Sequence, residues 1–268
     1  MFLSAGDGIE VLSPQGEALR SAPMVGAGAL CAAQSSVYCA GADGAIWQLN
    51  RQTLMPQSIL CGGPGVRDLM VCPHSLRLYA LVGDADSVMM IDTKSGKPQI
   101  INRCGCNPRQ LTLHQGVLAA AGGESGCIHL YEADTLQSRA DISMPGPVYG
   151  AALHNDSVFA LCLTPELNAL LVIQSGALRT AVALEGMPGC LRFSKEMLFA
   201  ATQGWIYAFS LDQMHALFRI RAPGRASALC VYEGGLLSYD PLSECVWTAQ
   251  ADASWRLFRS NIRAMAAG

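Results

Sequence analysis

The chain has 268 residues, 51% of them hydrophobic and only 15% charged. That composition excludes intrinsic disorder, because it supplies enough apolar surface to offset the entropy of ordering. Eighteen Lys and Arg against 21 Asp and Glu give a net charge of -3 without any run of like sign, which excludes a surface built to track nucleic-acid phosphates. The opening MFLSAGDGIEV has neither a basic nor an apolar leader region and does not read as a secretory signal. The longest strongly apolar stretch, Ala169 to Ile173, is far too short to span a membrane. A soluble cytoplasmic monomer is expected, without membrane or nucleic-acid partners and without a cofactor. The 11 cysteines are odd in number and sit mostly in apolar runs such as VYCAG and FALCL, so they read as small buried hydrophobes of a reducing compartment.

Taken in chain order, seven short segments align without gaps: GIEVLS from Gly8, AIWQLN from Ala45, SVMMID from Ser87, CIHLYE from Cys127, ALLVIQ from Ala169, WIYAFS from Trp205 and CVWTAQ from Cys245. Their second residues, from Ile9 to Val246, are spaced by 37, 42, 40, 42, 36 and 40 residues. An apolar run precedes each, as in VYCAG from Val37, LYALVG from Leu78 and VLAAAG from Val117. Between the two runs lie turn residues such as Gly41-Ala42-Asp43-Gly44 and Gly83-Asp84-Ala85-Asp86, which read as hairpins. A further run comes before each hairpin, as in RDLMV from Arg67 and RQLTL from Arg109, and a weaker one follows, as in PQIIN from Pro98.

Four strands per forty residues make one blade of a β-propeller. Blades covered by neighbours on both faces account for the high apolar content. The fold class expected is all-β, a seven-bladed β-propeller of four-stranded antiparallel blades. Six blades cover about 28-66, 67-108, 109-148, 149-189, 190-226 and 227-261. Residues 1-27 and 262-268 complete one another as a composite seventh blade, closed by pairing of the C-terminal strand with the N-terminal strands and leaving no free sheet edge at the join.

One blade carries a more specific pattern. The turn Gly62-Gly63-Pro64-Gly65, the strand Leu78-Tyr79-Ala80-Leu81 and the strand Ser87-Val88-Met89-Met90-Ile91-Asp92-Thr93 resemble the YVTN-type propeller repeat, a WD40-like family of bacteria and archaea. The interblade turn recurs as Gly105-Cys106-Asn107-Pro108, Met144-Pro145-Gly146, Met187-Pro188-Gly189 and Ala222-Pro223-Gly224. Val82 or Gly83 stands where that repeat has its asparagine. The resemblance implies a ring-shaped binding platform and no particular chemistry.

Candidate ligand residues gather where the inner strands begin. Arg67, Arg109 and Arg263 start innermost strands at equivalent places, Tyr149 holds a fourth such position, and Arg192 and Arg225 lie nearby. Arginines converging on a channel mouth would fork onto a carboxylate or phosphate. The competing reading pairs them with turn acids, for which Asp43, Asp84, Asp86, Glu124, Glu166 and Asp240 are available. Cys104, Cys106 and Cys127, with His129, are the nearest approach to a metal set, but their spacing matches no familiar zinc motif, so no metal is expected. Trp47, His129, Tyr207 and Trp247 recur at one repeat position and read as interblade packing.

No nucleophile elbow, Walker loop or HExxH is found. The function expected is a non-enzymatic scaffold for a protein partner or a small anionic ligand. The alternative is a lactonase-like hydrolase recruiting Arg67, Arg109, Arg192, Glu124 and His154. A quinone-dependent dehydrogenase fits less well, since its tryptophan repeats and an eighth blade are missing.

Overall fold

A computed structural model describes residues 1–5, 8–13, 15, 17–24, 26–63, 65–73, 75, 77–83, 86–105, 107–194, 197–211, 214–232, 235–249, 255–259 and 262–266. Among them every regular element is a strand. The first blade contributes β1 (Phe2–Ala5), β2 (Gly8–Leu12) and β3 (Ala18–Pro23). The second holds β4 (Leu30–Ala32), β5 (Ser36–Ala40), β6 (Ala45–Asn50) and β7 (Pro56–Cys61), and the third β8 (Val66–Val71), β9 (Arg77–Val82), β10 (Ser87–Asp92) and β11 (Pro98–Arg103). The fourth comprises β12 (Pro108–His114), β13 (Val117–Gly122), β14 (Cys127–Glu132) and β15 (Ser138–Ser143), and the fifth β16 (Val148–His154), β17 (Ser157–Leu163), β18 (Asn168–Gln174) and β19 (Ala177–Leu184). In the sixth are β20 (Pro188–Ser194), β21 (Met197–Ser210) and β22 (Ala216–Arg225), and in the seventh β23 (Ala228–Tyr232), β24 (Gly235–Asp240), β25 (Cys245–Ala249) and β26 (Trp255–Arg259).

β27 (Ile262–Ala266) returns to the first blade, whose order is β27-β1-β2-β3. It runs antiparallel to β1 with Phe2 opposite Ala266 and Leu3 opposite Met265. In the sixth blade the second and third strands follow one another without a break and are numbered together as β21. Its first half pairs with β20 and its second half with β22, and the chain bends between them at Gly204, where φ is 96°. Glycine reaches that backbone region without the clash a Cβ would bring.

The core is divided by blade interfaces. One apolar cluster joins Leu78 and Leu69 of the third blade to Ile46 and Leu60 of the second, and the next joins Tyr79 and Leu81 to Leu111 and Leu118 of the fourth. The series ends with Leu3 and Leu12 packed on Cys230, Leu237 and Val246, so the seventh blade lies against the first. Middle strands are buried except at their ends, as in β13 and β17, because both faces meet a neighbour, whereas the outermost β3 and β15 are mostly exposed. Polar sutures cross the same interfaces: Tyr79 Oη donates to Ala133 O at 2.7 Å.

The turns between third and fourth strands repeat one geometry. Leu54, Gly96, Leu136 and Met214 each donate a backbone N–H to a carbonyl four residues back, and each has a left-handed φ between 51° and 70°. Two of them, Leu54 and Leu136, insert fully buried side chains between blades.

Candidate functional site

A cavity of about 1120 Å³ runs along the inner strands of blades two to seven. Its wall contains Arg67, Arg109, Tyr149, Arg192 and Arg225. Four of the five sit at a ladder irregularity or at a strand end. Arg67 is the extra residue between Val66 and Asp68 where β8 slips against β9, and Arg109 and Tyr149 are the extra residues of β12 and β16. Arg225 is the last residue of β22, reached across a register shift beside Gln203. A bulge leaves its extra residue outside the ladder and re-aims the side chain. Arg263 falls at the corresponding slip of β27 against Ser4 and Ala5, and its side chain lies outside the described residues. Arg192 is different: it sits within the regular part of β20, opposite Phe199, and so enters the channel deeper than the bulge residues.

Three of the turn acids accept backbone hydrogen bonds. Asp43 Oδ1 accepts from Ala45 N at 3.0 Å, Asp240 Oδ1 from Leu242 N at 3.1 Å, and Asp86 Oδ1 from Asn107 N at 2.7 Å. Asp84 lies outside the described residues. Among the described residues no ion pair reaches Arg67, Arg109, Arg192 or Arg225. Arg67 instead donates to the Asn107 side chain, and its guanidinium lies over Gly83, where a Cβ would collide with it. Gly83 thus makes room for the arginine.

Sequence reasoning overlooked two further wall residues, Asp68 and Gln110, which hold one repeat position. Asp68 Oδ2 accepts from Leu111 N at 2.7 Å, and Gln110 Oε1 accepts from Ala151 N at 3.2 Å. Each ties its own inner strand to the next. Burial pushes the Asp68 carboxyl up to about 6, against the opposing pull of the Leu111 and Leu69 N–H groups and of Arg192. The polar residue after an inner-strand arginine, Arg67-Asp68 and Arg109-Gln110, was the available signal. Cys190 and Cys230 share the wall, and burial holds both thiols above their usual range, to about 12 for Cys190, so neither brings a negative charge to Arg192.

The other candidates lie elsewhere. His154 ends β16 with its ring 5.5 Å from both His114 and Phe193, and Glu124 is exposed in the turn after β13; neither lines the cavity that holds the arginines. Cys104 is buried and accepts from Tyr131 Oη at 3.5 Å, and burial raises both its thiol and that of Cys127. Cys106 lies outside the described residues, and among those described no cluster of three metal-ligating side chains forms. Trp47 and Tyr207 pack between blades. His129 instead lines a separate cleft of about 630 Å³ between blades three and four, with Nδ1 2.7 Å from Asp141 Oδ1.

No protein-family model matches the chain, and no curated protein does. Solved structures do. A functionally unknown protein from Desulfotomaculum acetoxidans DSM 771 superposes with a TM-score of 0.82 at 12% identity, over 97% of each chain. The computationally designed Ika8 protein gives 0.73 at 12% identity over 99% of this chain and 88% of its own. A chain of the Mitotic Checkpoint Complex gives 0.68 at 12% identity over 89% of this chain and 80% of its own. At that identity the likeness concerns the fold alone: the chain is a seven-bladed β-propeller.

Proposed function

We propose that this protein is a non-enzymatic binding scaffold, with blades of the YVTN type, that receives an anionic group in its central channel. Arg67, Arg109, Tyr149, Arg192, Arg225 and Arg263 are the residues assigned to it. The anion is a small ligand or an acidic group of a protein partner. One observation carries the reading: guanidiniums from several blades share a single cavity, and among the described residues none of Arg67, Arg109, Arg192 and Arg225 is in an ion pair. Arginine without a carboxylate partner presents forked donors to a carboxylate or phosphate, and charge assistance makes those bonds strong.

Thermal melts in phosphate or citrate, compared with chloride at equal ionic strength, test this reading. Binding only to the folded state stabilises it by about 2.7 kcal/mol at a hundredfold excess over Kd. Wild-type protein should melt higher in the multivalent anion, and the combined variant Arg67→Ala, Arg109→Ala, Arg192→Ala should lose that gain. A gain that survives all three substitutions sinks the proposal.

A further inference from the structure

The arginines stand at two depths. Arg67 and Arg109 occupy the bulges where β8 and β12 begin, on adjacent blades. Arg192 pairs with Phe199 as Met70 pairs with Tyr79, which puts it two rungs below Asp68 on the equivalent strand. Two rungs of a strand measure about 7 Å, and Arg67 precedes Asp68 in the bulge, so the strand positions bearing the two arginines differ in depth by more than that. The blade bearing Arg192 is three places round the ring from that bearing Arg67, so the two charges enter from nearly opposite walls. Between the tiers the wall offers hydrogen bonds rather than a second cation: the Asp68 carboxylate, and Gln110, whose Oε1 is taken by Ala151 N and whose amide N–H groups have no partner among the described residues. The cavity, about 1120 Å³, is as large as those that enclose drug-sized molecules. A single inorganic anion would satisfy one tier and leave the other facing water.

We propose that the channel takes an elongated bis-anion, a small molecule with a carboxylate or phosphate at each end, joined by a hydroxylated or otherwise hydrogen-bonding spacer long enough to cross from one tier to the other. One end docks on Arg67 and Arg109 at the mouth and the other on Arg192 below. This rests on the anion-binding reading above and specifies its ligand. Once the first end is held, the second binds at high effective concentration, so affinity should depend on spacer length.

Isothermal titration with a series of alkane-α,ω-bisphosphonates, alongside alkylphosphonates of matched length, decides the matter. The expected result is a clear optimum at one spacer length in the series, with affinity at least about tenfold above the matched monophosphonate, or about 1.4 kcal/mol. Arg192→Gln should reduce the bisphosphonate to the affinity of its monophosphonate, whereas Arg67→Gln should weaken both series. Circular dichroism confirms that each variant is folded. Equal affinity of mono- and bisphosphonates, or an advantage that Arg192→Gln leaves intact, overturns the two-tier ligand while the anion reading stands. Failure of every phosphonate to bind overturns both.

Discussion

Replacing Asp68 by Asn converts a carboxyl that titrates inside the channel wall into a group that cannot. Its folded value of about 6 lies above the ordinary 3.8, so the folded protein holds this proton more tightly than the unfolded chain. The linked stabilisation is therefore complete below about pH 4 and is lost as pH rises through about 6. A rise of that size corresponds to about 3 kcal/mol across the window. In the variant the amide oxygen can still accept the bond from Leu111 N, while the bond from Leu69 N to the other oxygen is given up, at a cost of about 1 kcal/mol. Wild type should thus be slightly the more stable at pH 4, and Asp68→Asn should lead by about 2 kcal/mol at pH 7.5. Urea unfolding followed by tryptophan fluorescence from pH 4 to 8 measures the difference. Stability curves that stay parallel over that range would refute the account of Asp68 as a carboxyl whose charge the wall disfavours.

Removing the Tyr79 hydroxyl with Phe takes the donor from Ala133 O across the interface of blades three and four. It should cost about 1–2 kcal/mol, a fall in Tm of roughly 2–6 °C by calorimetry. Leu136 is fully buried at a left-handed φ of 51°. Leu136→Ala should lose about 2–4 kcal/mol to the cavity, whereas Leu136→Gly, freed from Cβ strain, should be about 1 kcal/mol more stable than the Ala variant. The opposite order would show that the turn does not require its left-handed residue. Deleting residues 262–268 removes the strand paired with β1 and should lower Tm for the whole ring in a single transition; an unchanged Tm refutes the closure. Gly83→Ala should displace the Arg67 guanidinium and weaken phosphate binding with little loss of Tm, and undiminished binding would contradict the close approach described.

The blade period was legible in the chain because it depends on local events. Glycine and aspartate turns must recur wherever strands reverse, and runs such as LYALV and VLAAA must be apolar because each is covered twice. The start of the inner strands was legible for the same reason, which is why Arg67, Arg109, Tyr149, Arg192 and Arg225 could be named before their common cavity was seen. Their surroundings were not. Whether an inner-strand arginine meets an acid depends on distances between residues on different strands and blades, and Asp86 turned to Asn107 N while Arg67 took the Asn107 side chain. Leu54 and Leu136 gave no sign of a left-handed turn, since leucine tolerates that backbone only when its burial elsewhere offsets the strain. Local alternation thus determined the blades, and the tertiary structure decided which charges remain open to the channel, because pairing and desolvation are settled only when non-neighbouring strands are brought together.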